Sequence, residues 1–282
     1  MTSSATNTNS PAIALTIAGS EATGGAGAQA DLKTFQELGV FGIVNLTCIV
    51  SFDPKDNWNH RFVPVDQQVI ADQLEATTAA YGPASGAPKV LDTVKIGMLG
   101  SPATISTVAQ ALTDTTFKNV VLDPVLICKG QEPGHALDTD TALKESILPL
   151  ATFVTPNHFE SESLSGMEIK DVEDLKEAAR KIHAISGAAV LAKGGVRLGG
   201  SDAVDVFFDG TTLEVLSAPK VGEVAVSGAG CSLAAAVAAE LAKGATPLEA
   251  ARTAKAFVTE GIKNRVTSGA PFTALWQGGA AK

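Results

Sequence analysis

Cysteine is scarce in this chain: Cys48, Cys128 and Cys231 are the only three among 282 residues. An odd number, widely spaced and without a CxxC pair, excludes a disulfide framework and a cysteine zinc site. It fits a reducing compartment, so a cytoplasmic protein is expected. Histidine is nearly as sparse, and His60, His135, His158 and His183 lack metal-ligand spacing. Basic residues are outnumbered, 21 Lys and Arg against 30 Asp and Glu, for a net charge of −9. That balance argues against nucleic acid or an anionic membrane as partner. Any phosphate-bearing ligand must be held by local devices. No apolar run reaches the length of a membrane span. The opening MTSSATNTNS has neither the basic start nor the apolar stretch of a signal peptide. Residues 1–10 are expected to be a frayed tail, and 11–282 one domain.

What the chain does have is core material, 45% hydrophobic residues, in short apolar runs that alternate with amphipathic ones. AIALTIAGS reads as a strand ending at about Ala18, and QADLKTFQELGV as the helix after it. GIVNLTCIVS, TVKIGMLG, NVVLDPVLI, ATFVTPN and AAVLAKGG read as further strands, with helices between them. AVDVFFDGTTLEVLSAPK reads as a hairpin turned at Asp209-Gly210. Strands apolar throughout and alternating with helices predict a mostly parallel sheet covered on both faces, a three-layer αβα fold. Ligands in such sheets bind beyond the carboxyl ends of the strands. The unusual segments all fall there: GSEATGGAGAQAD, SFDPKDNWNHRF, KIGMLG, DPVLICKGQEPGHAL, TPNHFE, LAKGG and SGAGC.

SGAGCS is the most informative of these. Gly228 and Gly230, with Ala229 between them, can turn successive N–H groups into one space at a helix start, which makes an anion site. The same field lowers the pKa of a thiol in the first turn, so Cys231 is expected to be substantially thiolate. A packing turn with cysteine as a small apolar residue fits the same spacing. Asp123 ends a strand where it could hold a metal ion, and Cys128-Lys129-Gly130 opens a Gly- and Pro-rich stretch to Ala136 suited to a mobile lid. Asn157 and Glu160 would face one way on a helix start and suit the outer shell of Mg²⁺, or simply cap the helix. Lys193, followed by Gly194, offers a cation at a strand end. His60 sits in DNWNHRF, a loop on the site face able to meet a heteroaromatic ring. GGAGAQA aligns weakly to a dinucleotide fingerprint at Gly25, Gly27 and Ala30, but the loop before it is long and Asp31 would start the helix.

Together ALTIAGS, GGAGAQADLKTFQELGV, WNH, KIGMLG, NVVLDPV, TPNHFE, KGG and GAGCS resemble the ribokinase-like vitamin kinases over nearly the whole chain. The likeness is greatest to the branch of hydroxymethylpyrimidine kinases and the pyridoxal kinases built like them. Cys128 and the NWNH loop with His60 match the pyridoxal kinases of that branch. The resemblance implies ATP and Mg²⁺ as cofactors, a hydroxymethyl group on a heteroaromatic ring as acceptor, and a homodimer. It implies Cys231 as the catalytic residue over an anion hole at Gly228–Cys231, with a second thiol, Cys128, on the lid. Metal or phosphate contacts are implied at Asp123, Asn157, Glu160, Lys193 and Gly194. Ring contacts fall at His60, Met98 and Val125, with Gly19 and Glu21 lining the acceptor side. Two positions depart from the pattern: Glu21 stands where the family has aspartate, and Ser227 where it has histidine.

The reaction implied is ATP-dependent phosphorylation of the 5′-hydroxymethyl group of pyridoxal, with Cys231 as base. A thiol near an aldehyde also permits a reversible hemithioacetal. Hydroxymethylpyrimidine (phosphate) kinase activity, a pyridoxal-binding carrier and a dinucleotide dehydrogenase are the competing readings.

Overall fold

A computed structural model describes residues 10–126 and 133–280. One sheet holds all nine strands, in the order β3-β2-β1-β4-β5-β6-β7-β8-β9. The strands are β1 (Ala12–Glu21), β2 (Val40–Asp53), β3 (Asn59–Pro64), β4 (Thr93–Ile96), β5 (Asn119–Leu122), β6 (Phe153–Val154), β7 (Ala189–Lys193), β8 (Asp202–Phe208) and β9 (Leu213–Pro219). Pairing is parallel from β2 through β1, β4, β5 and β6 to β7, and antiparallel at β3, β8 and β9. The expected mostly parallel three-layer architecture is what forms.

Helices α1 (Gly27–Glu37), α7 (Ala229–Ala242) and α8 (Pro247–Lys263) cover one face. On the other lie α2 (Gln67–Tyr81), α3 (Pro102–Asp114), α4 (Pro133–Ser146), α5 (His158–Ser165) and α6 (Val172–Ser186). Helix α7 is central: Ala234–Ala239 are fully buried, because small side chains let its backbone lie close to the sheet, to α1 and to α8. The strand order reverses around β1, with β2 on one side and β4 on the other. The crevice at such a switch point is where open α/β sheets take ligands.

Three local expectations change. Strand β1 does not end at about Ala18 but runs on to Glu21, past a register shift between Ala18 and Ser20. The segment SFDPKDNWNHRF is not an irregular loop. Strand β2 extends to Asp53 and turns into β3, which pairs Phe52 with His60; an edge strand can carry this polar sequence because only one flank is hydrogen-bonded. The stretch expected to remain loop to Ala136 becomes α4 from Pro133. Residues 1–9, and Cys128 with the first part of the expected lid, lie outside the described residues.

Asp31 does not start a helix. It sits a turn inside α1, fully buried, and accepts from Lys95 Nζ at 2.9 Å and from Thr16 Oγ1 at 2.6 Å. Lys95, on β4, is equally buried. Burial opposes its charge, but the carboxylate of Asp31, the sulfur of Cys231 and the carboxylate of Asp123 outweigh it and raise its pKa. Burial likewise pushes the Asp31 carboxyl up, opposed by Lys95 and Thr16. Breaking such a pair leaves one uncompensated charge in the interior. Lys95→Met is therefore expected to cost about 3–5 kcal/mol of stability in a denaturant titration. Lys95→Met combined with Asp31→Asn should recover much of that loss.

Candidate active site

Gly228 caps α7 with φ +77°, a left-handed conformation. A Cβ there would stand 1.8 Å from the Gly25 carbonyl oxygen. Both the backbone angle and the space thus require glycine. The Ala229 N–H donates to the Val226 carbonyl at 3.3 Å; the amides of Gly230 and Cys231, which no carbonyl inside the helix can satisfy, belong to residues that line the crevice. Cys231 is in this first turn, half-buried, and its sulfur accepts the N–H of Gly27 at the start of α1. Two helix N-termini therefore converge on one thiol.

The thiol is nevertheless not a ready thiolate. Burial pushes it up to about 11; Lys95 pulls it down, Asp31 and Asp123 push it up, and the Gly27 N–H pulls it down. The expectation of a substantially ionised Cys231 is corrected: loss of hydration outweighs the pull of Lys95 and of the Gly27 N–H.

On one side of this turn lies a cavity of about 680 Å³ lined by Asp123, Val125, Asn157, Glu160, Lys193, Gly194 and the Gly228–Cys231 turn. Lys193 Nζ lies 3.3 Å from Asp123 Oδ1, and Thr155 Oγ1 lies 3.4 Å from the same oxygen. Glu160 and Asn157 form a capping box at the start of α5: Asn157 Oδ1 accepts the Glu160 N–H at 3.0 Å, and Glu160 Oε2 accepts the Asn157 N–H at 2.7 Å. The capping reading of this pair is thus realised, on the wall of the cavity. Burial pushes the Glu160 carboxyl up to about 8, opposed by Lys193 and reinforced by Asp123. Burial pulls Lys193 down, but Asp123 and Glu160 more than restore it, so it remains cationic. Val221, Val224, Val258 and Ile262 also line the cavity, as do Lys255 and Asp205, a part-buried ion pair of 2.8 Å.

Gly19 and Glu21 lie at the end of β1, Met98 just past β4, and His60 on β3 of the β2–β3 hairpin. A Cβ on Gly19 would meet Cys48 Sγ at 2.5 Å and Met98 Sδ at 3.8 Å. Cys48 is fully buried, as core filling requires. The Glu21 carboxylate is turned onto its own loop: it accepts from Thr23 N, Thr23 Oγ1, Gly25 N and Ala26 N at 2.6–3.0 Å. It holds the turn that presses on Gly228. The two departures from the family pattern meet here, since a Cβ on Gly25 would lie 3.5 Å from Ser227 Oγ and 3.7 Å from a Glu21 oxygen.

Some working parts were not found from the sequence. The Asp31–Lys95 pair was missed, although a lysine inside the apolar run TVKIGM was a signal. So were Lys255–Asp205, strand β3, and the segment Phe272–Gln277. That segment hydrogen-bonds Ser227 through Thr273 and Leu275, and its Gln277 Nε2 donates to buried Ser232 Oγ at 3.0 Å.

A parallel αβα sheet with a glycine anion turn at its switch point, an acid–lysine pair and a thiol at the turn defines a small-molecule phosphotransferase. The family model for phosphomethylpyrimidine kinase matches residues 21–275. The pyridoxine kinase of Bacillus subtilis is 48% identical over 255 residues, 89% of this chain and 90% of that protein. The crystal structure of the Bacillus subtilis pyridoxal kinase as an ADP complex superposes with a TM-score of 0.83 at 44% identity, covering 94% of this chain and 97% of that one. That of the Staphylococcus aureus pyridoxal kinase with AMP-PCP and pyridoxal gives 0.85 at 37%, covering 96% and 94%. The chain belongs to the phosphomethylpyrimidine kinase family, within the ribokinase-like vitamin kinases. It is an ATP- and Mg²⁺-dependent phosphotransferase of that family. The dinucleotide reading falls with this, since loop 22–26 separates β1 from α1 where a fingerprint needs a tight turn.

Because the Cys231 thiol titrates near 11, its alkylation by iodoacetamide in the ligand-free protein should be slow at neutral pH. The rate should climb about tenfold per pH unit until that value is approached. Peptide mass spectrometry across pH 7–11 reads this, and a plateau reached below pH 8 would contradict it.

Proposed function

We propose that the chain is a pyridoxal kinase, transferring the γ-phosphoryl group of ATP to the 5′-hydroxymethyl group of pyridoxal. Pyridoxine and pyridoxamine are further acceptors. The observation that carries the reading is the junction at Cys231: its sulfur stands between the acceptor loop, through Gly27, and the donor cavity, through the Gly228–Gly230 turn. The reading is supported by the likeness to the Staphylococcus aureus enzyme bound to pyridoxal.

The Gly228–Cys231 turn binds the oxygens of the transferring group, chiefly through the amides of Gly230 and Cys231, since the Ala229 N–H donates to the Val226 carbonyl at 3.3 Å. Lys193, Gly194 and Asn157 hold the remaining phosphates. Asp123 and Glu160 suit Mg²⁺: among the described residues no cluster of three or more acidic, histidine or cysteine groups is present, and this ion takes few protein carboxylates beside phosphates and water. The ion, when bound, neutralises phosphate charge. Gly19, Met98 and His60 orient the ring, while Val125, expected beside them, lines the donor cavity instead. Cys231 accepts the hydroxyl proton late, as the bond to phosphorus forms, so a thiol with a raised pKa can serve once it has ionised.

An ATP-dependent assay across pyridoxal, pyridoxine, pyridoxamine and hydroxymethylpyrimidine tests this, with pyridoxal the fastest expected acceptor. Preference for hydroxymethylpyrimidine would replace the reading by its nearest alternative, and adduct formation without ATP consumption by a carrier. Cys231→Ala should lower turnover about 10²–10⁴-fold while nucleotide binding persists.

We further infer one kinase domain, a cytoplasmic location and a homodimer. The location is supported by the unpaired Cys48 and Cys231, and among the described residues no helix is long and apolar enough to cross a membrane. The dimer is supported by Ile49 and Val63, directly paired across β2 and the edge strand β3 and 44% and 60% exposed. An exposed apolar edge of this kind is ordinarily covered. Val63→Lys should convert the dimer to a monomer in light scattering, and a wild-type chain already monomeric at micromolar concentration would dismiss the inference.

A further inference from the structure

The β2–β3 hairpin closes through a turn in which Asn59 N–H donates to the Asp56 carbonyl at 2.8 Å. Both central residues, Asn57 and Trp58, have positive φ, +49° and +61°. They are the only non-glycine residues with positive φ among those described. Turns of this geometry favour Asn followed by Gly. Asn57 fits; a tryptophan in the second place is strained and persists only where its surroundings hold it.

What holds it is a ring cluster that spans two distant parts of the chain. Phe52 lies 4.8 Å from His60, 6.4 Å from Trp58 and 5.1 Å from Phe272, centroid to centroid. Trp58 meets Phe272 edge-on at 5.9 Å. All four side chains are half-buried. Phe272 in turn is adjacent to Thr273, whose carbonyl accepts the Ser227 N–H at 2.9 Å, one residue before the anion turn. A continuous path therefore runs from the hairpin bearing His60, through Phe52, Trp58 and Phe272, to the turn bearing Cys231.

We propose that Trp58 and Phe272 form a latch that holds the β2–β3 hairpin over the acceptor in register with the phosphoryl-accepting turn, making them positioning residues for the heteroaromatic alcohol. The proposal rests on the kinase reading above. The latch sets the distance between the ring contact at His60 and the proton acceptor at Cys231. It leaves the nucleotide cavity, across the turn, untouched. Strain at Trp58 is the cost of placing a large ring where the turn itself prefers none.

The test compares wild type, Phe272→Ala and Trp58→Gly. Hydrogen exchange of the ligand-free proteins is read first: amides of residues 53–61 should exchange about tenfold faster in both variants, with β1 unchanged. Trp58→Gly is the discriminating variant, because it relaxes the turn. A tryptophan that served only the local fold would leave the glycine variant as protected as wild type, or more so, and that result overturns the latch. Steady-state kinetics with Mg·ATP and pyridoxal follow. The acceptor KM should rise about two- to tenfold, with ATP consumed per product formed also rising and the ATP KM unchanged. Faster hairpin exchange with acceptor KM and coupling ratio unaltered would also overturn the positioning role. A wild-type chain that phosphorylates no hydroxymethyl heteroaromatic defeats the kinase reading instead, and the exchange arm still decides the latch.

Discussion

Two glycine turns pressed against each other set the geometry of this molecule. The carbonyl of Gly25 occupies the space a side chain on Gly228 would need, and the N–H of Gly27 reaches the sulfur of Cys231. One turn belongs to the start of α1, the other to the start of α7. Everything on the acceptor side follows from the first and everything on the donor side from the second. Glu21 braces the first turn by gathering its amides, and the Thr273–Gln277 segment braces the second. Because both braces are hydrogen bonds to backbone or to buried side chains, the junction is defined before any ligand arrives, which is the condition for electrostatic preorganisation.

The charge arrangement beneath the junction answers how an acidic protein handles polyphosphate. Beside the surface lysines and arginines, three lysines are drawn inward, each against a carboxylate: Lys95, fully buried, with Asp31, and Lys193 and Lys255, part-buried, with Asp123 and Asp205. For Lys95 and Lys193 the paired carboxylates outweigh burial and raise the pKa, so both stay cationic. The pairs also differ in reach. Lys193 lines the donor cavity, whereas Lys95 is sealed under the turn and acts on Cys231 only through its field. That field does not offset the burial that pushes the thiol up.

The layered fold was legible from the sequence because its signals are local: apolar strand runs, glycines at strand ends and an Asp-Gly hairpin turn. That Asp123, Asn157, Glu160, Lys193 and the Gly228–Cys231 turn line one cavity was legible for the same reason, since they lie at or beyond strand ends on one edge of the sheet. The parts that escaped depend on pairing between distant segments. Strand β3 has too polar a sequence to look like a strand, and only its register with β2 makes it one. Lys95 and Asp31 are far apart in the chain and become intelligible only as a pair. The ionisation of Cys231 was misjudged because a thiol's place in the first turn of a helix can be read from a sequence, while the burial that pushes it up cannot.

The same distinction explains the aromatic residues. Phe, Trp and Tyr are few in this chain, yet Phe52, Trp58 and Phe272 meet at one corner. Phe272 had no signal of its own, lying in a Gly-Ala-Pro stretch that reads as a loop. Its significance comes from being held beside Ser227 on one side and Phe52 on the other. A residue at such a crossing transmits position rather than chemistry: the ring cannot shift without moving either the hairpin that carries His60 or the turn that carries Cys231. Acceptor geometry in this fold is thus controlled from outside the parallel sheet, by an edge hairpin and a carboxyl-terminal segment. The sheet itself fixes only where the phosphates go.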